Sequence, residues 1–273
     1  MWLYVFLAVV AALFYLSKTN TKVNFMLKYI YCFTVVICVG IVFIPIFLLR
    51  PKNVANLLMG AYVARTVIPP VIGVKWAVHG MEHLKEDRAA VIVANHQSSL
   101  DLLGMYEVWP MMKKCTAVAK RELLYFLPFG FASWLGGVIF INRMNGEKSR
   151  EAINSAGDVV KEKKLKIWLF PEGTRRNTGE IHEFKKGAFH LAISAQIPVI
   201  PVVFSRYYFI DEKKKFFRDG QVAITALEAI PTAGMTAKDV DKLIEMTRKV
   251  MVEAYDKANK QYCPAEAIRS STK

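Results

Sequence analysis

Residues 29–49 form a run of 21 residues without a charged side chain, and no other stretch limits the fold of this chain so strongly. As a helix the run is about 32 Å long, enough to cross a hydrocarbon core of about 30 Å. It has no polar face, which a helix on the surface of a water-soluble domain would need. Pro45 sits where it can kink the helix, and Arg50 and Lys52 close it. A shorter uncharged run, residues 2–16, precedes it and would be about 22 Å long. That first run lacks the basic leader of a cleavable secretion signal. A loop with Lys18, Lys22 and Lys28 is expected between the two. The pair is expected to be embedded in a membrane, as a spanning hairpin or as a clamp in one leaflet, with a buried core pair as the third alternative. Basic residues flank the second run on both sides, so charge does not orient it.

Composition agrees with a lipid surface. Hydrophobic residues make up 53% of the chain, above the roughly 45–50% of ordinary soluble domains, and the mean hydropathy is +0.25. The formal net charge is +14. An apolar and basic chain suits an anionic membrane or an anionic substrate, and no nucleic-acid motif accompanies the charge. Cys32, Cys38, Cys115 and Cys263 are widely spaced, with no zinc pattern and no paired framework, so reduced thiols in a cytosol-like compartment are expected. No glycosylation sequon is present.

After about residue 70 the pattern changes to short apolar runs alternating with helical ones. Residues 53–67 read as an amphipathic helix ended by Pro69-Pro70. Strands are expected at 73–78, 89–94, 116–119, 136–143, 166–170, 197–204 and 221–227, and helices at 147–164, 187–195 and 238–261. Residues 124–135 are apolar and aromatic, broken by Pro128 and Gly130, and suit a core, a lipid surface or an acyl chain. The fold class is α/β: a mixed, mostly parallel sheet flanked by helices, preceded by the N-terminal helix pair. Two units are expected, anchoring helices with a connector at 1–70 and an α/β domain at 71–273. His79 and His83, four apart, do not make a metal pair, because Gly80 and an extended approach argue against a helix there.

The chemistry concentrates in Asn95-His96-Gln97-Ser98-Ser99-Leu100-Asp101, a polar turn between an apolar strand and a helix start. Ser98 and Ser99 are good helix caps, and Asp101 falls in the first turn. An imidazole held by a carboxylate is a general base. On a regular helix His96 and Asp101 would lie about 140° apart, so they meet only if the turn folds them together. The plainer alternative is a polar turn in which His96 bonds the backbone. No Gly-x-Ser-x-Gly occurs, so a lipase-type serine nucleophile is not indicated and a substrate hydroxyl has to supply the attacking oxygen. Pro171-Glu172-Gly173-Thr174-Arg175 follows another strand, and Arg143 ends one. A glycine turn with two strand-end arginines suits a phosphate monoester, although Glu172 and Arg175 pairing with each other is a common alternative.

Together these residues resemble the glycerolipid acyltransferases, in particular the 1-acyl-sn-glycerol-3-phosphate (lysophosphatidic acid) acyltransferases. The resemblance rests on four segments in order: Asn95, His96 and Asp101; Gly137 to Arg143; Phe170 to Arg175; and Ile197 to Val203. It runs from about residue 71 to 230. Asn142 departs from it, since many relatives carry Asp there. The resemblance implies acyl transfer from acyl-CoA to the sn-2 hydroxyl of lysophosphatidic acid, giving phosphatidic acid for phospholipid and triacylglycerol synthesis. It implies His96 and Asp101 as catalytic residues. Arg143, Glu172, Gly173, Thr174 and Arg175, with Lys120 as a further phosphate or CoA contact, would hold the substrate phosphate. No metal or resident cofactor is implied, acyl-CoA being a co-substrate. The implied partners are membrane lipid, with no nucleic acid and no obligate protein, at an endoplasmic reticulum membrane with the site facing the cytosol. The rival readings are an enzyme for another lysophospholipid and a non-catalytic lipid-binding membrane protein.

Overall fold

The computed structural model describes residues 1–142, 157 and 160–265. Helix α1 spans Trp2–Thr19 and α2 spans Thr21–Leu48. The expected loop around Lys18, Lys22 and Lys28 is therefore helical, and the break shrinks to one residue. Asn20 is extended, and its side chain accepts the N–H groups of Lys22 and Val23 at 3.0 and 3.2 Å, which caps α2. Pro45 lies inside α2 near its end.

Helix α3 spans Ala55–Ile72 and carries Pro69 and Pro70 inside it. They were expected to end the helix, and they do not. Ile68 and Ile72 of this last turn are fully buried, so packing overrides the lost backbone bonds. Gly73, in the left-handed region at φ 73°, ends the helix instead.

The domain contains β1 (Val74–His79), α4 (Glu82–Lys85), β2 (Ala90–Ala94), α5 (Asp101–Met112) and β3 (Cys115–Lys120). A 3-10 turn at Arg121–Tyr125, α6 (Phe129–Leu135), β4 (Ile139–Ile141) and β5 (Lys166–Leu169) follow. Then come α7 (Gly187–Ser194), β6 (Val199–Phe204), the small hairpin β7 (Ile210–Asp211) and β8 (Phe216–Phe217), β9 (Gly220–Ala226) and α8 (Val240–Tyr262). The helix expected at 147–164 lies mostly outside the described residues. Seven strands form one sheet in the order β1-β9-β6-β2-β5-β3-β4. Strands β6, β2, β5, β3 and β4 are parallel, and β9 joins β6 antiparallel.

Successive side chains of each strand face opposite sides. Ile92, Ala94 and Trp168 enter one core with α2, α3 and α5, while Val91, Val93, Ile167 and Leu169 enter a second core with α7 and α8. Helix α2 packs along the domain rather than standing away from it. Asn24 donates to the Phe217 carbonyl at 2.8 Å and Tyr31 to the Val67 carbonyl at 3.0 Å, and Phe47 packs with Ala132 and Leu135. Its outer face, with Met26, Ile30, Ile41 and Val42, is exposed. Helices α2 and α3 both have the length and apolar composition to cross a membrane.

Candidate active site

Parallel strands bring their C-terminal ends to one edge, and the expected site residues fall along it. The turn after β2 carries His96, the turn after β5 carries Glu172 to Arg175, and Lys120 ends β3. Adjacent strands are about 4.8 Å apart, so Lys120 lies roughly two strand spacings from the strand of His96.

The turn after β2 folds His96 and Asp101 together. His96 Nδ1 is 2.7 Å from Asp101 Oδ2. The same oxygen accepts the backbone N–H groups of Gln97 at 2.7 Å and Ser98 at 3.1 Å. Three donors on a fully buried carboxylate oxygen hold it rigidly. This replaces the serine cap expected for α5. No side chain caps the helix, and Asp101, its first residue, reaches back instead to bond the turn that precedes it. Tyr207, fully buried, lies near the Asp101 carboxylate, with no hydrogen-bond partner for its hydroxyl among the described residues. Burial, together with the Asp101 charge, holds that phenol well above its ordinary range, so it stays neutral.

With Asp101 ionised, Nδ1 carries the proton and the Nε2 lone pair is left to take another. The ring is 18% exposed and stacks on Phe170, with centroids 4.1 Å apart and planes 16° from parallel. One face of the imidazole is thus kept from water while an edge remains open.

The turn is pinned on both sides. Asn95 continues the β2–β6 ladder with its side chain, giving Nδ2 to the Phe204 carbonyl at 2.9 Å and taking the Phe204 N–H at 2.8 Å. Gln97 donates to the carbonyls of Phe204 and Ser205 at 3.0 and 2.9 Å. On the other side Glu172 Oε1 accepts the His96 N–H at 2.8 Å, and the Arg176 N–H donates to the His96 carbonyl at 2.9 Å. Burial pushes the Glu172 carboxyl up from 4.5 to about 7, against the pull of backbone N–H donors. Gly173 turns the chain at φ 72°, where a Cβ would meet the Lys185 side chain. Glu172 therefore faces the base turn, whereas Thr174 and Arg175 face solvent. Arg175 makes no ion pair or side-chain hydrogen bond among the described residues. Lys120, half exposed, is 4.0 Å from Glu122. Arg143 lies outside the described residues.

Four residues were not singled out in the sequence. Phe170 stands in one of the quoted segments but reads there as a strand end. Arg176 is indistinguishable from Arg175 by sequence. Tyr207 and Gln97 act across more than 100 residues of sequence. His79, by contrast, pairs with Tyr262, Nε2 to hydroxyl 2.7 Å, and not with His83. No group of three or more His, Cys, Asp or Glu gathers as a metal site among the described residues. A cleft of about 1040 Å³ opens at the β4 edge, lined among others by Lys52, Arg121, Leu124, Trp134 and Lys163. Among the described residues its lining has no histidine or carboxylate, whereas the β2 turn brings the two together.

Residues 75–205 match the family model described as Acyltransferase, which gives the class of the fold and its site. Human 1-acyl-sn-glycerol-3-phosphate acyltransferase beta is 45% identical over 180 residues, 66% of this chain and 64% of that protein. The putative 1-acyl-sn-glycerol-3-phosphate acyltransferase acl-2 of Caenorhabditis elegans is 44% identical, over 67% of this chain and 65% of its own length. The matches thus span a little under two thirds of the length of these two relatives. The human alpha enzyme is 37% identical over 221 residues, 81% of this chain and 77% of that protein. The chain belongs to the 1-acyl-sn-glycerol-3-phosphate acyltransferase family. The crystal structure of the 1-acyl-sn-glycerophosphate (LPA) acyltransferase PlsC from Thermotoga maritima shares the fold. Its TM-score is 0.59 at 23% identity, covering 85% of this chain and 97% of that one.

Proposed function

We propose that this protein transfers an acyl group from acyl-CoA to the sn-2 hydroxyl of 1-acyl-glycerol-3-phosphate, releasing CoA and giving phosphatidic acid. The observation that carries the reading is the 2.7 Å contact of His96 Nδ1 with a buried, triply bonded Asp101 oxygen, which leaves Nε2 to act as base. Nε2 takes the sn-2 hydroxyl proton as the oxygen attacks the thioester carbonyl. The C–S bond breaks, and the proton on His96 passes to the leaving thiolate. Asp101 keeps the tautomer and stabilises the imidazolium. A thioester is already activated, so no acyl-enzyme is required. Ser98, in the same turn, is buried and donates to Glu212 at 3.3 Å.

In this reading Arg175, with Arg143 and the amide of Thr174, holds the acceptor phosphate, while Gly173, whose N–H is given to the Phe170 carbonyl at 3.1 Å, only shapes the turn. Arg175 is solvent-facing at the same sheet edge as His96, which favours that role. Glu172 orders the turn through the His96 N–H rather than meeting an anion itself. Lys120 is the outer cation of the edge. The product feeds phospholipid and triacylglycerol synthesis. The reading includes a membrane of the endoplasmic reticulum, with the site toward the cytosol. The apolar N-terminal helices and four unpaired cysteines support it.

The deciding experiment is an acceptor panel with the purified full chain. Lysophosphatidic acid is expected to be acylated far faster than choline or ethanolamine lysolipids. Equal or faster transfer to a zwitterionic lysolipid would move the protein to that acceptor.

A further inference from the structure

Beyond residue 72, seven large apolar side chains are exposed among the described residues, and five of them lie between 123 and 134. They are Leu123, Tyr125, Phe126, Leu127 and Trp134, with Tyr125 and Leu127 each 68% exposed. A cluster this dense on the 3-10 turn and α6 is not the scattered exposure usual for a soluble surface.

The cluster continues a face already exposed on α2. Phe126 meets Phe33 of α2 edge-on, with ring centroids 6.3 Å apart. Pro128 packs against Gly40, and Ala132 against Phe47. Beside these contacts Ile41, Val42 and Ile46 of α2 face outward, so the two elements offer one apolar surface. Its border is cationic. Arg50 and Lys52 follow α2, Lys120 and Arg121 lead into the 3-10 turn, and all four are exposed; Glu122, 4.0 Å from Lys120, is the one acid among them and leaves the border net cationic. Lys52 Nζ lies over the Trp134 ring at 5.2 Å, an aromatic with a cation at its edge, as at the headgroup level of a bilayer. A basic rim around an apolar surface matches an anionic lipid interface rather than a second copy of this +14 chain.

We propose that residues 123–134 are a third lipid-inserting element, which sinks with α1 and α2 into a phospholipid surface containing anionic headgroups. The element lies beside α2, which is itself packed along the domain, so the two together set the depth and tilt of the domain.

The test uses the full chain with Cys38→Ser, reconstituted one copy per nanodisc in phosphatidylcholine with phosphatidylglycerol. A fluorophore is attached through Leu127→Cys, and in a second protein through Tyr125→Cys. Both side chains are exposed, so neither change disturbs packing. A label on Lys257→Cys serves as the control. Lys257 is exposed on α8, which packs in the core on the opposite side of the sheet. Labels at 127 and 125 are expected to lose most of their emission to nitroxide-chain lipids and to be shielded from aqueous iodide, with the reverse at 257. Iodide access at 127 and 125 without nitroxide quenching would overturn the proposal. Shielding from both quenchers would overturn it too, because protein would then cover the patch.

Discussion

Glu172 accepts the backbone N–H of His96 at 2.8 Å, so the turn after β5 holds the turn after β2 through a buried carboxyl group. That carboxyl is pushed from 4.5 to about 7 by burial. The unfolded chain ionises it near 4.5, whereas the folded chain keeps its proton up to about 7. Its stabilising contribution is therefore complete below about 4.5 and is lost as pH rises through about 7. The size of the loss is on the order of 3 kcal/mol at most. Glu172→Gln keeps an oxygen for the His96 N–H and removes the titration. Its thermal midpoint should fall less than that of the wild type between pH 5 and pH 8, and should exceed it at pH 8. Parallel pH profiles for the two proteins would show that this carboxyl does not titrate in that window.

Asn95→Ala should lower stability without touching the base. Gln97 Nε2 also donates to the Phe204 carbonyl, so only the Phe204 N–H is stranded. A stranded buried donor costs about 1–3 kcal/mol, which is roughly 3–10 °C in the midpoint of a chain this size. A scan of thermal stability in detergent checks it, and an unchanged midpoint would mean that the ladder extension contributes nothing.

The strand-turn-helix around His96 was legible because its ingredients are local: a β-type apolar run, a polar turn and an acid at a helix start. The ties that make it a site were not. Gln97 reaches Phe204 and Ser205, and Tyr207 lies near Asp101, across more than 100 residues of sequence. Local rules also failed where packing outweighed them. Pro69 and Pro70 signal a helix end, yet the buried last turn of α3 continues past them. Lys18, Lys22 and Lys28 signal a loop, yet Asn20 makes the break in one residue. The hairpin of β7 and β8, with two residues in each strand, is too short for any periodicity to mark.

Arg175 faces solvent at the sheet edge with no partner among the described residues, as expected of a group whose partner is the substrate. Arg175→Ala should raise the apparent KM for lysophosphatidic acid and leave that for acyl-CoA nearly unchanged. A lost charged hydrogen bond of about 1.5–3 kcal/mol corresponds to roughly ten- to a hundredfold in kcat/KM. Arg175→Lys keeps the charge but loses the two-pronged fork, and should still be impaired. Arg143→Ala should behave alike, and the double variant should be less than additive if both hold one phosphate. A rise confined to the acyl-CoA KM would assign the turn to the donor instead.

The protein should stay with the membrane pellet through high-salt and carbonate washes, because apolar burial by α1 and α2 holds it and charge only assists. Removing residues 1–52 strips α2 from a core that contains Phe25 and Cys32. The remainder should aggregate or lose activity rather than become a soluble, fully active enzyme. Full release by salt alone would mean that the basic surface is the anchor.

Single-turnover acyl transfer by His96→Ala tests the central claim most directly. The variant should fold and extract like the wild type, because the His96 ring lies at the site's open edge and its backbone bonds to Glu172 and Arg176 remain. Its rate should fall by at least about 10²–10⁴, the worth of a positioned general base, and Asp101→Asn should fall within the same range. A well-folded His96→Ala protein that transferred acyl groups at close to the wild-type rate would show that His96 is not the base.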